Sequence, residues 1–157
     1  MLTNGDKIFV PNYGAGIIKN IELKNIYDIV CEFVYIELVI NEISLSIPIN
    51  RIKNYKIREI VTKEQLYNCI NIIKEEPKKI EKKWSKRYRN NNDKISTGIL
   101  EKECEVLRDL YYLKSKGIMP LGEEKILNKA EELVGSEIML VLDISLNEAL
   151  KIIRNLK

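Results

Sequence analysis

The sequence predicts an α+β chain, with a small, bent antiparallel β-sheet in residues 1–60 and an all-helical C-terminal part in residues 61–157. Two observations carry this. Apolar residues before about residue 50 come as β-branched runs or alternate with polar ones, the period of strands, whereas from Thr62 they recur at helical spacing. Strands followed by helices, without alternation, make an α+β chain rather than a parallel α/β one. The 157 residues, 45% hydrophobic, are enough for one compact domain or two small ones.

Residues 5–23, GDKIFVPNYGAGIIKNIEL, hold a β-rich run, a Pro/Asn/Gly turn and a second β-rich run. CEFVYIELVI, residues 31–40, is nearly all apolar or β-branched. EISLSIPI alternates Ile43, Leu45, Ile47 and Ile49 against Ser44, Ser46 and Pro48, as in a half-buried strand. Pro48 suits an edge or a strand end, because it cannot donate to a ladder.

A join near residues 58–62 leads into the helices. Thr62 and Gln65 form a capping-box pattern ahead of Leu66, Cys69, Ile70 and Ile73, and Pro77 ends that helix. A basic helix is expected over residues 79–92, with a break at Ser96, Thr97 and Gly98. Leu100, Cys104, Leu107 and Tyr111 make the stripe of the next helix. Gly117 and Pro120 end it and start another, whose inner face is Ile126, Leu127, Ala130, Leu133, Val134 and Ile138. Ser145 and Glu148 open the last helix, which buries Leu146, Ala149, Leu150 and Ile153.

Composition narrows the function. There is no histidine, and Cys31, Cys69 and Cys104 are far apart with no Cys-x-x-Cys pair, so neither a disulfide framework, a zinc site nor another metal site is expected. No glycine-rich phosphate loop or spaced carboxylate pair replaces the missing general base, so no catalytic residue and no cofactor are expected. No leader or membrane span is read either, which gives an expectation of a cytoplasmic protein.

The net charge of +3 is unevenly placed: residues 78–94 hold eight basic and two acidic residues, net +6. Charge clustered on one element is the footprint of a phosphate-backbone binder. The only tryptophan, Trp84, lies inside that cluster. On a helix, Ile80, Trp84 and Tyr88 fall at i, i+4 and i+8, one face, and pattern alone favours a core stripe backed by wet lysines. Two details oppose this. Arg87 shares the face of the aromatics, and the segment offers few carboxylates to pair its charges. A face mixing cations with aromatic rings suits nucleic acid, where basic groups hold phosphates and a ring stacks or wedges.

The sequence resembles the CarD family of bacterial transcription regulators over nearly its whole length. GDKIFVPNYGAGIIKNIE at residues 5–22 resembles the family's opening pattern of Gly-Asp, a strand ending in Pro, Gly-x-Gly and Ile-Glu, and IPINRIKNYKIREIV at 47–61 resembles its domain-closing stretch. WSKRYRNNNDKISTG at 84–98 is similar to its Trp-Ser-x-Arg-Tyr helix, with EVLRDL at 105–110 and GEEKILNKA at 122–130 continuing the likeness. The resemblance implies a Tudor-like domain in 1–60 that docks on the β subunit of bacterial RNA polymerase. It implies a helical domain in 61–157 that lies in the promoter DNA minor groove at the upstream fork of the bubble, altering open-complex stability without reading sequence. Carried over by position, Trp84 is the wedge, Lys86, Arg87 and Arg89 are its basic neighbours, and Lys125 and Lys129 belong to a neighbouring helix.

For the polymerase contact, Lys24 stands where members carry arginine, with Ile26 beside it. Ser46 is a departure, since an arginine can stand there. Phe9 replaces a common tyrosine, and Pro120 and Leu121 replace a serine-type cap. A monomer is expected. The rival readings are a polymerase-independent architectural or RNA-binding protein and a pure interaction module whose Trp84 is core.

Overall fold

Short apolar runs separated by turn residues give strands first and capped helices after, and the structure, a computed structural model, describes residues 2–156. The strands are β1 (Lys7–Val10), β2 (Gly14–Ile26), β3 (Ile29–Leu38), β4 (Ser44–Pro48) and β5 (Arg58–Glu59), with one 3-10 turn at Ile49–Arg51. The helices are α1 (Lys63–Lys74), α2 (Trp84–Ser96), α3 (Leu100–Ser115), α4 (Leu121–Leu142) and α5 (Leu146–Arg154). The chain is thus an α+β protein with a helical C-terminal part. No helix among the described residues is long and apolar enough to cross a membrane.

The sheet has the order β4-β3-β2-β1-β5, with every neighbouring pair antiparallel. Its long hairpin turns at Tyr27 and Asp28, whose φ angles of 50° and 64° are those of a two-residue turn that matches strand twist. The register shifts between Ile18 and Asn20, leaving Lys19 as an extra residue that bends β2. Pro48 closes the edge strand β4, where its missing N–H breaks no ladder bond. The short strand β5 carries no recognisable pattern in sequence; its pairing of Arg58 with Phe9 and of Glu59 with Ile8 holds it in place.

Alternation on the strands feeds two cores. Ile8, Val10, Ile18, Val34, Ile36, Leu38 and Ile47 bury one face of the sheet on itself. Phe9 and Ala15 point the other way, into the helical core with Leu66, Leu107, Leu110, Leu127, Leu133, Ile138 and Ile153. Both expected capping boxes form, at Thr62 with Gln65 and at Ser145 with Glu148.

One expected element is displaced. The basic helix read over 79–92 occupies Trp84–Ser96, and residues 79–83 are non-helical. Ile80 is drawn against the helical core, and the Glu81 carboxylate accepts the Lys83 N–H at 3.1 Å, holding the chain extended until Lys83, the N-cap.

Arg58 fixes the sheet to the helices. Its guanidinium is bidentate on Glu137 of α4, at 2.7 and 2.8 Å, its Nε donates to the Gly98 carbonyl at 2.8 Å, and it lies 4.5 Å from the Phe9 ring centre. Glu137 also accepts the Val61 N–H at 2.9 Å. Gly98 has φ +71°, and a Cβ there would stand 2.6 Å from the Pro11 ring, so glycine is required on both counts. A second tie joins strand to helix, where the Ala15 N–H donates to Ser136 Oγ at 2.9 Å.

Beside this junction lies Glu103, fully buried, with neither carboxylate oxygen hydrogen-bonded among the described residues. Burial pushes its carboxyl well above the usual range, the Glu137 charge adds to the rise, and Arg58 opposes it. A folded pKa above the unfolded one gives stability that is complete below the ordinary carboxylate value, about 4.3, and is lost as pH rises toward the folded value. Each pH unit in that window removes at most about 1.4 kcal/mol. Glu103→Gln should therefore gain melting temperature over the parent at about pH 8, and the gain should shrink toward about pH 5. Parallel melting curves for the two proteins across that range would show that Glu103 does not titrate with folding.

Candidate nucleic-acid interface

Trp84 is the first residue of α2 and is 50% exposed. Tyr88, one turn on, is also exposed, and the two ring centres are 5.7 Å apart at 32°. Both rings lie over Gly122 in the first turn of α4, where a Cβ would stand 3.9 Å from the indole and 4.0 Å from the phenol. Because Ile80 precedes the helix, the stripe of Ile80, Trp84 and Tyr88 does not form. The buried residues of α2 are Asn91 and Ile95, and the aromatic pair is left at the surface.

Arg87 departs from its sequence reading. The segment itself has few carboxylates, but Glu123, 36 residues on, supplies one. Arg87 Nε and one terminal nitrogen donate to the two Glu123 oxygens at 2.6 and 2.7 Å, and the other terminal nitrogen donates to the Glu81 carbonyl at 2.9 Å. The Arg87 side chain is 11% exposed and that of Glu123 is 0%. The paired carboxylate raises the guanidinium pKa further above its ordinary value, against the lowering effect of burial.

The other basic candidates stay at the surface. Lys86 reaches Glu81 only at 3.5 Å, and Arg89 has no ion pair among the described residues. Being three apart, these two share one side of α2, while Trp84 and Tyr88 share another. Lys125 and Lys129 are exposed and one turn apart on α4. Lys125 lines an open groove of about 500 Å³ with Leu121, Gly122, Glu124 and Asn128, which begins at the foot of the Trp84 ring. Leu121 is 83% exposed at its mouth. Lys129 instead lines a groove of about 90 Å³ toward Leu38 at the end of β3 and Tyr13 and Ile43 in the flanking turns. The structure thus gathers Trp84, Tyr88, Leu121 and Lys125 at one corner, puts Lys86 and Arg89 on another side of α2, and sets Lys129 apart.

That corner joins the N-termini of α2 and α4, and neither N-cap residue, Lys83 or Pro120, provides a side-chain cap. The starts of both helices, with the positive ends of their dipoles, lie at this corner, α4 also carrying Glu123 and Glu124 in its first turn. The arrangement can take an anionic backbone beside an exposed aromatic surface.

The N-terminal candidates also share a face. Pairing of Lys24 with Cys31, and of Tyr35 with both Asn20 and Ser46, puts Lys24, Ile26 and Ser46 on the outer side of the sheet, all exposed. Lys24 Nζ lies 5.2 and 4.8 Å from the Phe33 and Tyr35 ring centres. Around Ile26, the hairpin exposes Leu23, Tyr27, Ile29 and Val30, with Tyr27 95% exposed. Sequence reading missed this apolar tip and missed Glu123. A two-residue turn between apolar runs at Tyr27 and Asp28 is a visible signal for the first; the second has none, since the pair is distant in sequence.

Residues 2–61 match the family model described as the CarD-like/TRCF RID domain, and residues 68–154 match that described as the CarD C-terminal domain. A protein of Bacillus subtilis (strain 168) named "Putative transcription factor YdeB" is 31% identical over 145 residues, covering 92% of this chain and 95% of that protein. These matches are to transcription-type proteins rather than to an enzyme family. An antiparallel sheet ahead of five helices, two models matched in order and a relative aligned over nearly its whole length together establish that this chain belongs to the CarD family and has a transcription-related role.

Proposed function

We propose that the protein binds the β subunit of bacterial RNA polymerase through the outer face of its sheet and promoter DNA through the Trp84 corner. It thereby changes the lifetime of the open complex without reading a specific sequence, acting in the cytoplasm. The observation that carries this is the half-exposed tryptophan beside a segment of net charge +6. A wedge in the minor groove must offset an unstacking cost of a few kcal/mol per step, and nearby phosphate contacts help to supply it. Lys86, Arg89 and Lys125 are exposed cations within the same two helices, and the uncapped helix starts add to the attraction. Lys129 is a peripheral phosphate contact in this reading.

On the polymerase side, Lys24 offers an ammonium held over two aromatic rings, and Ile26 heads an exposed apolar tip. Ser46 lies on the edge strand β4, whose outer side is open to strand addition from a partner. Residues 1–60 and 61–157 divide the two roles, but Phe9 and Ala15 are buried in the helical core, so tests use the whole chain.

Trp84→Ala should leave the melting temperature within a few degrees of the parent and shorten open-complex lifetime in an assay with polymerase from the same host. A tryptophan that belonged to the core would instead cost about 3–5 kcal/mol of stability on truncation. Replacing Lys86 and Arg89 by alanine should weaken binding to unrelated DNA sequences alike. It should flatten the slope of log affinity against log salt by roughly 0.9 for every phosphate no longer neutralised; an unchanged slope places both side chains off the DNA. Lys24→Glu should weaken capture of the β subunit in a pull-down while leaving binding to free DNA intact, and equal capture by both proteins would remove this face from the interface.

A further inference from the structure

We propose that Arg87 is a positioning residue that locks Trp84 against the start of α4 through Glu123, and that it holds no DNA phosphate itself. This rests on the reading of Trp84 as a DNA contact. All three guanidinium nitrogens are engaged, two by Glu123 and one by the Glu81 carbonyl, and the side chain is almost covered. Glu123 has no exposure and no other side-chain partner among the described residues. Were Arg87 to turn toward a phosphate, it would leave a carboxylate buried and uncompensated, a far larger loss than one surface phosphate contact returns.

The pair is placed to act on the ring. Trp84, Arg87 and Tyr88 are related by three and four residues on α2, so the cation emerges beside both rings. Glu123 directly follows Gly122, the bare position over which both rings lie. Two consecutive residues of α4 thus do complementary things: Glu123 fixes the distance and rotation of α2, and Gly122 leaves space for its aromatics. A two-pronged guanidinium–carboxylate bond sets direction as well as distance, which a lysine ammonium does not. The bond from Arg87 to the Glu81 carbonyl holds the chain just ahead of Trp84, so the tryptophan is restrained from both sides.

Arg87→Lys, Arg87→Gln and Glu123→Gln in the full chain, beside Trp84→Ala, test this. Three measurements are needed: affinity for fork-junction DNA at several salt concentrations, open-complex lifetime, and the fluorescence anisotropy of Trp84 in the free protein. As the only tryptophan, it reports this site alone. All three pair variants should lower the anisotropy and shorten the lifetime by roughly tenfold, as loosened support does to a placed group, with the salt slope unchanged. A phosphate contact behaves oppositely: Arg87→Lys would preserve binding, Arg87→Gln would flatten the slope by about 0.9, and Glu123→Gln would tighten binding by releasing the arginine. Any of those results overturns the inference. Should the single variants melt too low to study, Arg87→Met with Glu123→Leu removes the fork without stranding a charge. The same loss of anisotropy and lifetime is expected of that double variant, and unchanged values in it overturn the inference. Trp84→Ala with a normal lifetime would refute the wedge itself, whereas loss in Trp84→Ala alone, with the pair variants normal, would refute only the role of Arg87.

Discussion

Three buried glutamates on one helix set the constraint on which the rest of the molecule depends. Glu123, Glu131 and Glu137 all lie on α4, and each is gripped by both prongs of an arginine from a different element: Arg87 of α2, Arg154 of α5 and Arg58 of β5. Glu131 also accepts the Tyr111 hydroxyl from α3. A buried carboxylate is costly unless paired, so each arginine has one acceptable position. Apolar surfaces tolerate small slides and repacking; a bidentate fork does not. The apolar core makes the helices associate, and the three forks fix where along α4 each neighbour docks.

The position of the candidate surfaces follows from this arrangement. Helix α4 rises about 1.5 Å per residue, so its first turn, under Trp84, and Glu137, under the sheet, are separated by roughly 20 Å of continuous helix. The junction at Arg58, with Gly98 against Pro11 and Ala15 on Ser136, ties the sheet to that helix directly. In the proposed role, a protein holding polymerase at one end and the DNA fork at the other gains from a fixed span, because a flexible tether would lose ordering entropy each time both ends engaged. A shared core, with Phe9 among the helices, supplies that rigidity.

Local chemistry is legible in the sequence and distant pairing is not. The capping boxes at Thr62 and Ser145 and the apolar stripe of α4 each lie within a few residues and form as read, while β4 keeps its inward alternation only at Leu45 and Ile47, Ile43 and Ile49 lying beyond the strand ends and exposed. The start of α2 misleads because Ile80, Trp84 and Tyr88 satisfy helical spacing on paper, while the pull of the core on Ile80 and the Glu81 bond to Lys83 decide the backbone. Counting charges within residues 78–94 likewise makes Arg87 look free. Its partner is on another helix, as is that of Lys94, which reaches Glu105 at 3.8 Å. At the candidate site, the exposure of Trp84 depends on the same unseen neighbour, so pattern alone leans toward the core.

The tryptophan is exposed because of what lies under it as well as what surrounds it. A protein that wanted this ring buried would place bulk on α4 beneath it; glycine stands there instead, and the neighbouring large apolar residue, Leu121, is itself exposed. Half of a large apolar ring left in water forfeits on the order of 1 kcal/mol or more of burial energy. The cations nearby divide accordingly: Arg87 is consumed by structure, while Lys86, Arg89 and Lys125 remain at the surface with weak or no ionic partners among the described residues. Two of the molecule's other arginines, Arg58 and Arg154, are also consumed by α4. Free charge is therefore selective: α4 binds the arginines whose forks place elements of the fold, and it leaves Lys125 exposed beside an aromatic surface that the protein does not cover, with Lys86 and Arg89 exposed on another side of α2.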